Sequence, residues 1–352
     1  MNGYYAAYLG RIWEGGSPIP ELAGLIARLG KNTAEREALF EEAREAAVSV
    51  FGKSIYMRGL IEFTDHCKND CLYCGIRRSN KKARRYRLSR EDILASCETG
   101  YGSGFRTFVL QGGEDAALDD DFYCSLLGEI KNAWPDSAVT LSIGERSRES
   151  YAAYRRAGAD RYLLRHESAD PALYALWHPP FQRHADRMRC LADLKGLGYQ
   201  TGIGFMVGAP FQTDEHLAEE LLFIRRFGPA MVGLGPFIPH ADTPFGTYPA
   251  GSAEKSLIML ALTRLIDPRV LLPATTALGS VEGEGRERGI LAGCNVLMPN
   301  ISPPENRANY SLYNNKVDDG SNAEESCGSL SARVRRIGYS PVVSRGDYQG
   351  KP

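Results

Sequence analysis

Eight short β-rich runs, separated by amphipathic helical stretches, constrain this chain more than any other feature. They cover residues 55–63, 105–111, 138–143, 161–168, 201–207, 231–238, 272–276 and 294–298. The stretches between them carry helix starts, such as Ser89-Arg-Glu-Asp-Ile-Leu with its capping-box pattern, and Thr213-Asp-Glu-His-Leu-Ala. Strands that alternate with helices pair in parallel through crossovers. Eight such units predict an α/β fold, a closed parallel (β/α)8 barrel of TIM type. Periodicity does not show closure, so an open doubly wound sheet stays as the alternative. Residues 1–54 read as an N-terminal helical extension. There Thr33-Ala-Glu-Arg would cap a helix whose Leu39, Phe40, Ala43, Ala47 and Val50 recur at helical spacing. Residues 55–316 form the barrel, and 317–352, polar and then basic, read as a loosely packed C-terminal tail.

Strand alternation says what the lumen contains. In Arg161-Tyr-Leu-Leu-Arg-His-Glu, one parity carries Arg161, Leu163, Arg165 and Glu167, and the other Tyr162, Leu164 and His166. Barrel strands send alternate residues inward and outward. The apolar parity suits the helix layer, so Arg161, Arg165 and Glu167 are expected inside. Arg58 and Glu62 likewise oppose Met57, Ile61 and Phe63. Buried charges are costly unless paired or met by a ligand. This predicts an open polar chamber, with a buried ion-pair network as the alternative.

Three cysteines follow the first run directly, as Cys67-Lys-Asn-Asp-Cys71-Leu-Tyr73-Cys74. A loop at that place sits at the C-terminal mouth, where barrel active sites lie. Three thiolates at this spacing can hold three irons of a 4Fe–4S cube and leave the fourth open to a small molecule, as in other open catalytic metal sites. A zinc knuckle would need a further cysteine pair or His-x3-His, which is not nearby. The same mouth carries Gln111-Gly112-Gly113-Glu114-Asp115, Ser142-Ile-Gly-Glu145 and Thr275-Thr276. Gly112 and Gly113 let backbone approach a ligand closely. Glu114 or Asp115 would accept from an ammonium or cap the next helix.

Composition excludes some classes of function. Forty-two basic residues balance 43 acidic ones, no apolar run reaches membrane-spanning length, and no basic-aromatic interleaving favours nucleic acid. The N-terminus lacks a secretory pattern, and eight cysteines without a paired framework suit the cytoplasm. From Lys68 to Arg90, nine basic residues face one acid, Asp70; such a run is a solvated face or draws an anionic substrate or acidic partner to the mouth. Cys97, Cys124, Cys190 and Cys294 read as small buried hydrophobes.

Taken with Arg58-Gly-Leu-Ile-Glu-Phe, Asp160-Arg-Tyr-Leu-Leu-Arg-His-Glu, Met231-Val-Gly-Leu-Gly-Pro-Phe-Ile-Pro-His, Pro273-Ala-Thr-Thr-Ala-Leu-Gly and Asn295-Val-Leu-Met-Pro-Asn, the cysteine loop makes the chain resemble the HydE-type radical S-adenosylmethionine (SAM) maturases of FeFe-hydrogenase. These blocks stand in family order over about residues 35–316. Cysteine spacing marks only the superfamily, and the later blocks distinguish the relatives, biotin synthase and methylornithine synthase. The resemblance implies one 4Fe–4S cluster on Cys67, Cys71 and Cys74, with Tyr73 completing the signature. SAM would meet Ser142 through its carboxylate and the Gln111–Glu114 turn, at Gly112, Gly113 and Glu114, through its amine. Glu167 and Arg187 would hold the ribose and the methionine carboxylate end. Arg161, Thr275, Thr276, Met298 and Tyr310 would line the cavity of a small organometallic or amino-acid-derived substrate supplied by partner maturases. Only Cys327, with Asp318 and Ser329 nearby, remains where some members carry a second cluster, so none is expected. A methylornithine synthase-like mutase and a non-catalytic iron–sulfur scaffold are the alternatives.

Overall fold

The computed structural model describes residues 3–317 and 323–350. Among the described residues are nine strands: β1 (Ser54–Met57), β2 (Gly59–Thr64), β3 (Thr107–Gly112), β4 (Ala138–Ser142), β5 (Arg161–Leu163), β6 (Gln200–Val207), β7 (Met231–Pro236), β8 (Val296–Leu297) and β9 (Ser340–Val342). Strands β2 to β7 form a parallel sheet in sequence order, and β1 lies between β8 and β9 in a second parallel sheet. Isolated parallel bridges join Met231 to Leu271, Pro273 to Val296 and Leu60 to Asn300. The result is TIM-barrel-like, with helices packed against the outward side chains. Tyr162, for example, lies edge-on to Tyr151 of that layer and to Tyr199 just before β6.

Several boundaries differ from expectation. The first run divides at Arg58 into β1 and β2. The seventh, 272–276, makes only single bridges: Pro273 has no N–H to donate, and Thr276 already begins the helix Thr276–Val281. The fifth ends at Leu163, and Glu167 turns to a positive φ of 66°. The helix starts expected at Ser89 and Thr213 form as capping boxes, Ser89 with Asp92 and Thr213 with His216. The extension comprises the helices Tyr4–Glu14, Pro18–Lys31 and Thr33–Phe51, packed on Asp214–Phe227 and Ala253–Ile266. Its third helix is capped one residue earlier than expected, by Asn32, which accepts from the Glu35 amide. No helix among the described residues is long and apolar enough to cross a membrane.

The tail is not a loose appendage. Residues 318–322, including Asp318, lie outside the described residues, but the described part of the tail is packed. Helix Ala323–Arg336 buries Leu330 and Val334, β9 pairs with β1, and residues 345–348 thread beneath the strands' N-terminal ends. The Arg345 carbonyl accepts from Thr107 (2.8 Å) and from Arg161 (2.6 Å). Asp347 accepts from Arg161 (2.6 Å) and Gln200 (2.9 Å), and the Gly346 carbonyl from Arg58 (3.2 Å). Polar composition suggested solvation, whereas this segment supplies the anionic and carbonyl acceptors that buried guanidinium groups require.

Candidate active site

The cysteine loop leaves β2 at Thr64 and is moored on several sides. Gly113 N–H donates to the Thr64 carbonyl (3.0 Å) and Lys68 N–H to the Glu114 carbonyl (3.0 Å), so the β3 turn lies flat against it. A Cβ at Gly113 would stand 2.3 Å from the His66 carbonyl and 2.9 Å from the Cys67 Cβ, so only glycine permits this approach. Cys67, Cys71 and Cys74 are free thiols at partial exposure. Gln182 donates from Nε2 to the Cys71 sulfur (3.3 Å) and accepts at Oε1 from the Asp70 amide (3.1 Å). Burial pushes the Cys71 thiol up to about 12 against the lowering effect of Gln182, and it raises Cys67 and Cys74 too. A coordinated cation reverses this, because a ligating thiol is held deprotonated. Among the described residues, no group of three His, Cys, Asp or Glu is arranged around one metal ion. In a polynuclear cube each thiolate is seated on its own iron.

Tyr73 is fixed from behind. Its hydroxyl lies 3.2 Å from His178 Nε2, and His178 Nδ1 lies 2.8 Å from the Tyr174 carbonyl. Burial lowers the His178 pKa to about 4, so the neutral ring donates through Nδ1 and accepts from Tyr73.

The sequence left Glu114 and Asp115 interchangeable, and the structure separates them. Asp115 is consumed locally, accepting from Thr64 (2.8 Å), Arg87 (2.7 and 2.9 Å) and the Ala117 amide (3.0 Å). The next helix, Asp120–Ala133, is capped by Asp119. Glu114 is buried with one ion pair, to the exposed Lys68 at 3.2 Å. It rests over Gly144, where a Cβ would stand 2.2 Å from its carboxyl carbon and where φ is +77°. Gln111 and Ser142 face each other in register at the ends of β3 and β4, both partly exposed.

Glu167 receives a fork from Arg165 (3.0 and 3.1 Å), while Arg187 donates to Glu145 (2.6 Å) and to the Arg165 carbonyl. Such pairings hold charged heads in fixed directions. His166 points outward to the buried Glu220 (2.5 Å), as strand parity required.

Beneath the cysteine loop lies a cavity of ≈ 280 Å³ lined by Thr276, Met298, Asn300, Tyr310 and Lys316 among others. Ser311 also lines it, and the neighbouring Leu312 carbonyl accepts from Gly75 N–H (2.9 Å), just past Cys74. Thr276 Oγ1 accepts from Arg286 (3.1 Å); Thr275, which does not itself line the cavity, has its Oγ1 buried with no hydrogen-bond partner among the described residues. Glu62 stands on the same side, gripped by Lys316 (2.6 Å) and Asn300 (2.7 Å). Its carboxyl is raised by burial against the lowering pull of Lys316.

Arg161 is not among these groups. It opens β5 at the opposite end and is fully buried on Asp347, Thr107 and Gln200. Parity identified its face but not its depth. Arg165, four residues further along the same parity, is the arginine at the mouth, and its position at the end of the run was the signal. Lys316, Asn300, Gln182 and His178 gave no sequence signal, because their partners lie over a hundred positions away.

Residues 61–224 match the Radical SAM superfamily. The chain is 44% identical over 281 residues to the FeFe hydrogenase maturase subunit HydE of Thermotoga maritima, covering 80% of each. It is 29% identical to 3-methylornithine synthase of Methanosarcina acetivorans, over 78% of this chain and 79% of that one. Among solved structures, methylornithine synthase (PylB) superposes with a TM-score of 0.80 at 25% identity, over 95% and 97% of the two chains. The maturase HydG of Carboxydothermus hydrogenoformans shares the fold, with a TM-score of 0.70 at 20% identity over 97% and 85%.

Proposed function

Because the chain belongs to the HydE family of radical SAM maturases, we propose that it cleaves SAM reductively at this mouth and applies the radical to an amino-acid-derived organometallic unit during assembly of the diiron subcluster of FeFe-hydrogenase. One observation carries the reading: the three-cysteine loop, buried Glu114 and the Arg165–Glu167/Arg187–Glu145 pairs meet at the same end of the sheet. Cys67, Cys71 and Cys74 would hold a 4Fe–4S cluster, with one iron left for SAM. When bound, the cluster supplies the electron that opens a sulfonium C–S bond, giving methionine and the 5′-deoxyadenosyl radical.

The chain's own groups position the reactants. Glu114 and the Gly112–Gly113 turn receive the SAM amine, and Ser142 its carboxylate. Glu167 keeps lone pairs free beside Arg165 for the ribose hydroxyls, and Arg187 keeps N–H groups free beside Glu145 for the carboxylate end. Below, Thr275, Thr276, Met298 and Tyr310 face substrate; the unpartnered Thr275 hydroxyl supports a polar ligand there. We also take the sheet to close into a barrel. The bridges at Leu271, Pro273 and Asn300 support this, and closure would keep water from the radical. The reading places the protein in the cytoplasm, with partner maturases delivering substrate.

Anaerobic incubation with SAM and a strong reductant should yield methionine and 5′-deoxyadenosine. Adding the partner maturases and apo-hydrogenase should then give active hydrogenase. The likeness to methylornithine synthase supports a second reading, and conversion of lysine to methylornithine would replace the maturase role with it. Absence of SAM cleavage would leave only an iron–sulfur scaffold.

A further inference from the structure

Reductive cleavage requires one electron from outside for each SAM, so some surface near Cys71 must admit a donor. Of the nine basic residues between Lys68 and Arg90, six are engaged. Lys68 pairs with Glu114, Arg77 with Asp70, Lys82 with Asp242, Arg87 with Asp115 and Arg90 with Glu129, while Arg85 binds carbonyls of its own loop. Arg78, Lys81 and Arg84 have no acidic partner among the described residues. All three are exposed, on the segment just past Cys74. The Arg78 amide donates to Asn69 inside the cysteine loop (2.8 Å), and its guanidinium sits 5.3 Å from the ring centre of Phe181. That ring is 55% exposed, and Leu176, five positions earlier, is 50% exposed, although large apolar side chains usually avoid water. The residue after Phe181 is Gln182, whose amide touches the Cys71 sulfur. A segment with three exposed cations, one of them Arg78 over the exposed Phe181 ring, therefore stands one side chain away from a cluster thiol.

We infer that Arg78, Lys81, Arg84 and Phe181 form the docking face of an acidic one-electron donor protein. This rests on the radical SAM reading above. The three unpaired cations give charge complementarity to an acidic partner and steer its approach. Phe181, with Leu176, supplies the desolvated contact. At this face no bond is made or broken: the donor is oxidised by one electron, and the cluster-loaded enzyme is reduced by one.

The test uses an acidic flavodoxin as the probe. Its affinity is measured for the metal-free and the cluster-loaded protein over a range of salt. Cluster reduction is followed with reduced flavodoxin and, separately, with photoreduced 5-deazariboflavin. In Arg78→Glu/Lys81→Glu/Arg84→Glu, affinity and the flavodoxin-driven rate should fall about tenfold to a hundredfold. The salt dependence should flatten, while the deazaflavin rate and SAM affinity stay as in wild type. Phe181→Ala should weaken binding without changing the salt dependence. Equal flavodoxin affinity and reduction in the triple variant overturns the inference. So does unchanged reduction with impaired maturation, which would give the face to a partner maturase. If even deazaflavin cannot reduce the wild-type protein, the cluster reading falls and this inference with it.

Discussion

Glu167 adopts a backbone angle (φ 66°) that few side chains tolerate, and it does so at the end of a strand beside a forked arginine. Non-glycine residues in that region cost about 1–3 kcal/mol and persist where the surroundings over-determine them. Here the turn holds the carboxylate on the Arg165 guanidinium. Glu167→Gln keeps the shape and removes the charge, and should weaken SAM binding by about 1–3 kcal/mol, roughly 5-fold to 150-fold in Kd; calorimetry on the cluster-loaded protein measures it. Thr275 provides a different kind of test. Its buried hydroxyl already lacks a partner, so Thr275→Val should leave the melting temperature unchanged or raise it. Thr276→Val, by losing the bond from Arg286, should cost about 1 kcal/mol. In the double variant SAM cleavage should continue while hydrogenase maturation drops sharply. Full maturation would take both threonines out of the substrate site.

The cysteine loop and the C-terminal segment are the two elements whose support comes from far along the chain. Behind Tyr73, His178 is held neutral, with its pKa lowered to about 4 by burial. A folded value below the ordinary 6.5 means a contribution to stability that is full above pH 6.5 and lost as pH falls toward 4. Unfolding measured across that window should show the loss, and His178→Gln should lack that component; an identical pH profile in the variant would contradict the assignment. The C-terminal segment closes the other end. Asp347→Ala strips Arg161 of its carboxylate. With Asp347 itself partly solvated, the cost should be about 2–3 kcal/mol in urea unfolding, below the full penalty for breaking a buried pair. None of this was readable locally. Strand parity correctly turned Arg58, Glu62, Arg161 and Arg165 inward, and the capping box at Ser89 formed as spelled. Parity carries no information on depth along the axis, however, and so could not separate Arg161 at the floor from Arg165 at the mouth. Nor does composition show that a polar tail will satisfy a buried arginine 186 positions away.

For the molecule as a whole, the plan was legible because parallel strands with crossover helices must alternate, and because three cysteines at the end of the first lumen strand cannot avoid the mouth. What remained hidden was how the weak part of the sheet is joined. Pro273 contributes a single bridge to Val296, and the two-residue β8 only a two-pair ladder with β1, where full ladders were expected. The floor there depends on a segment that reads as solvent-exposed. The same plan puts a thiolate loop, a buried carboxylate and paired arginines around one opening, and the central claim is that this opening holds a cluster with one iron free for SAM. Electron paramagnetic resonance of the anaerobically reconstituted, reduced protein tests it most directly. Wild type should bind about four irons and give a signal that shifts when SAM is added. Cys67→Ala, Cys71→Ala and Cys74→Ala should each lose it, and Cys97→Ala and Cys327→Ala should keep it. A normal cluster signal in Cys71→Ala, or a wild-type signal indifferent to SAM, would contradict the account.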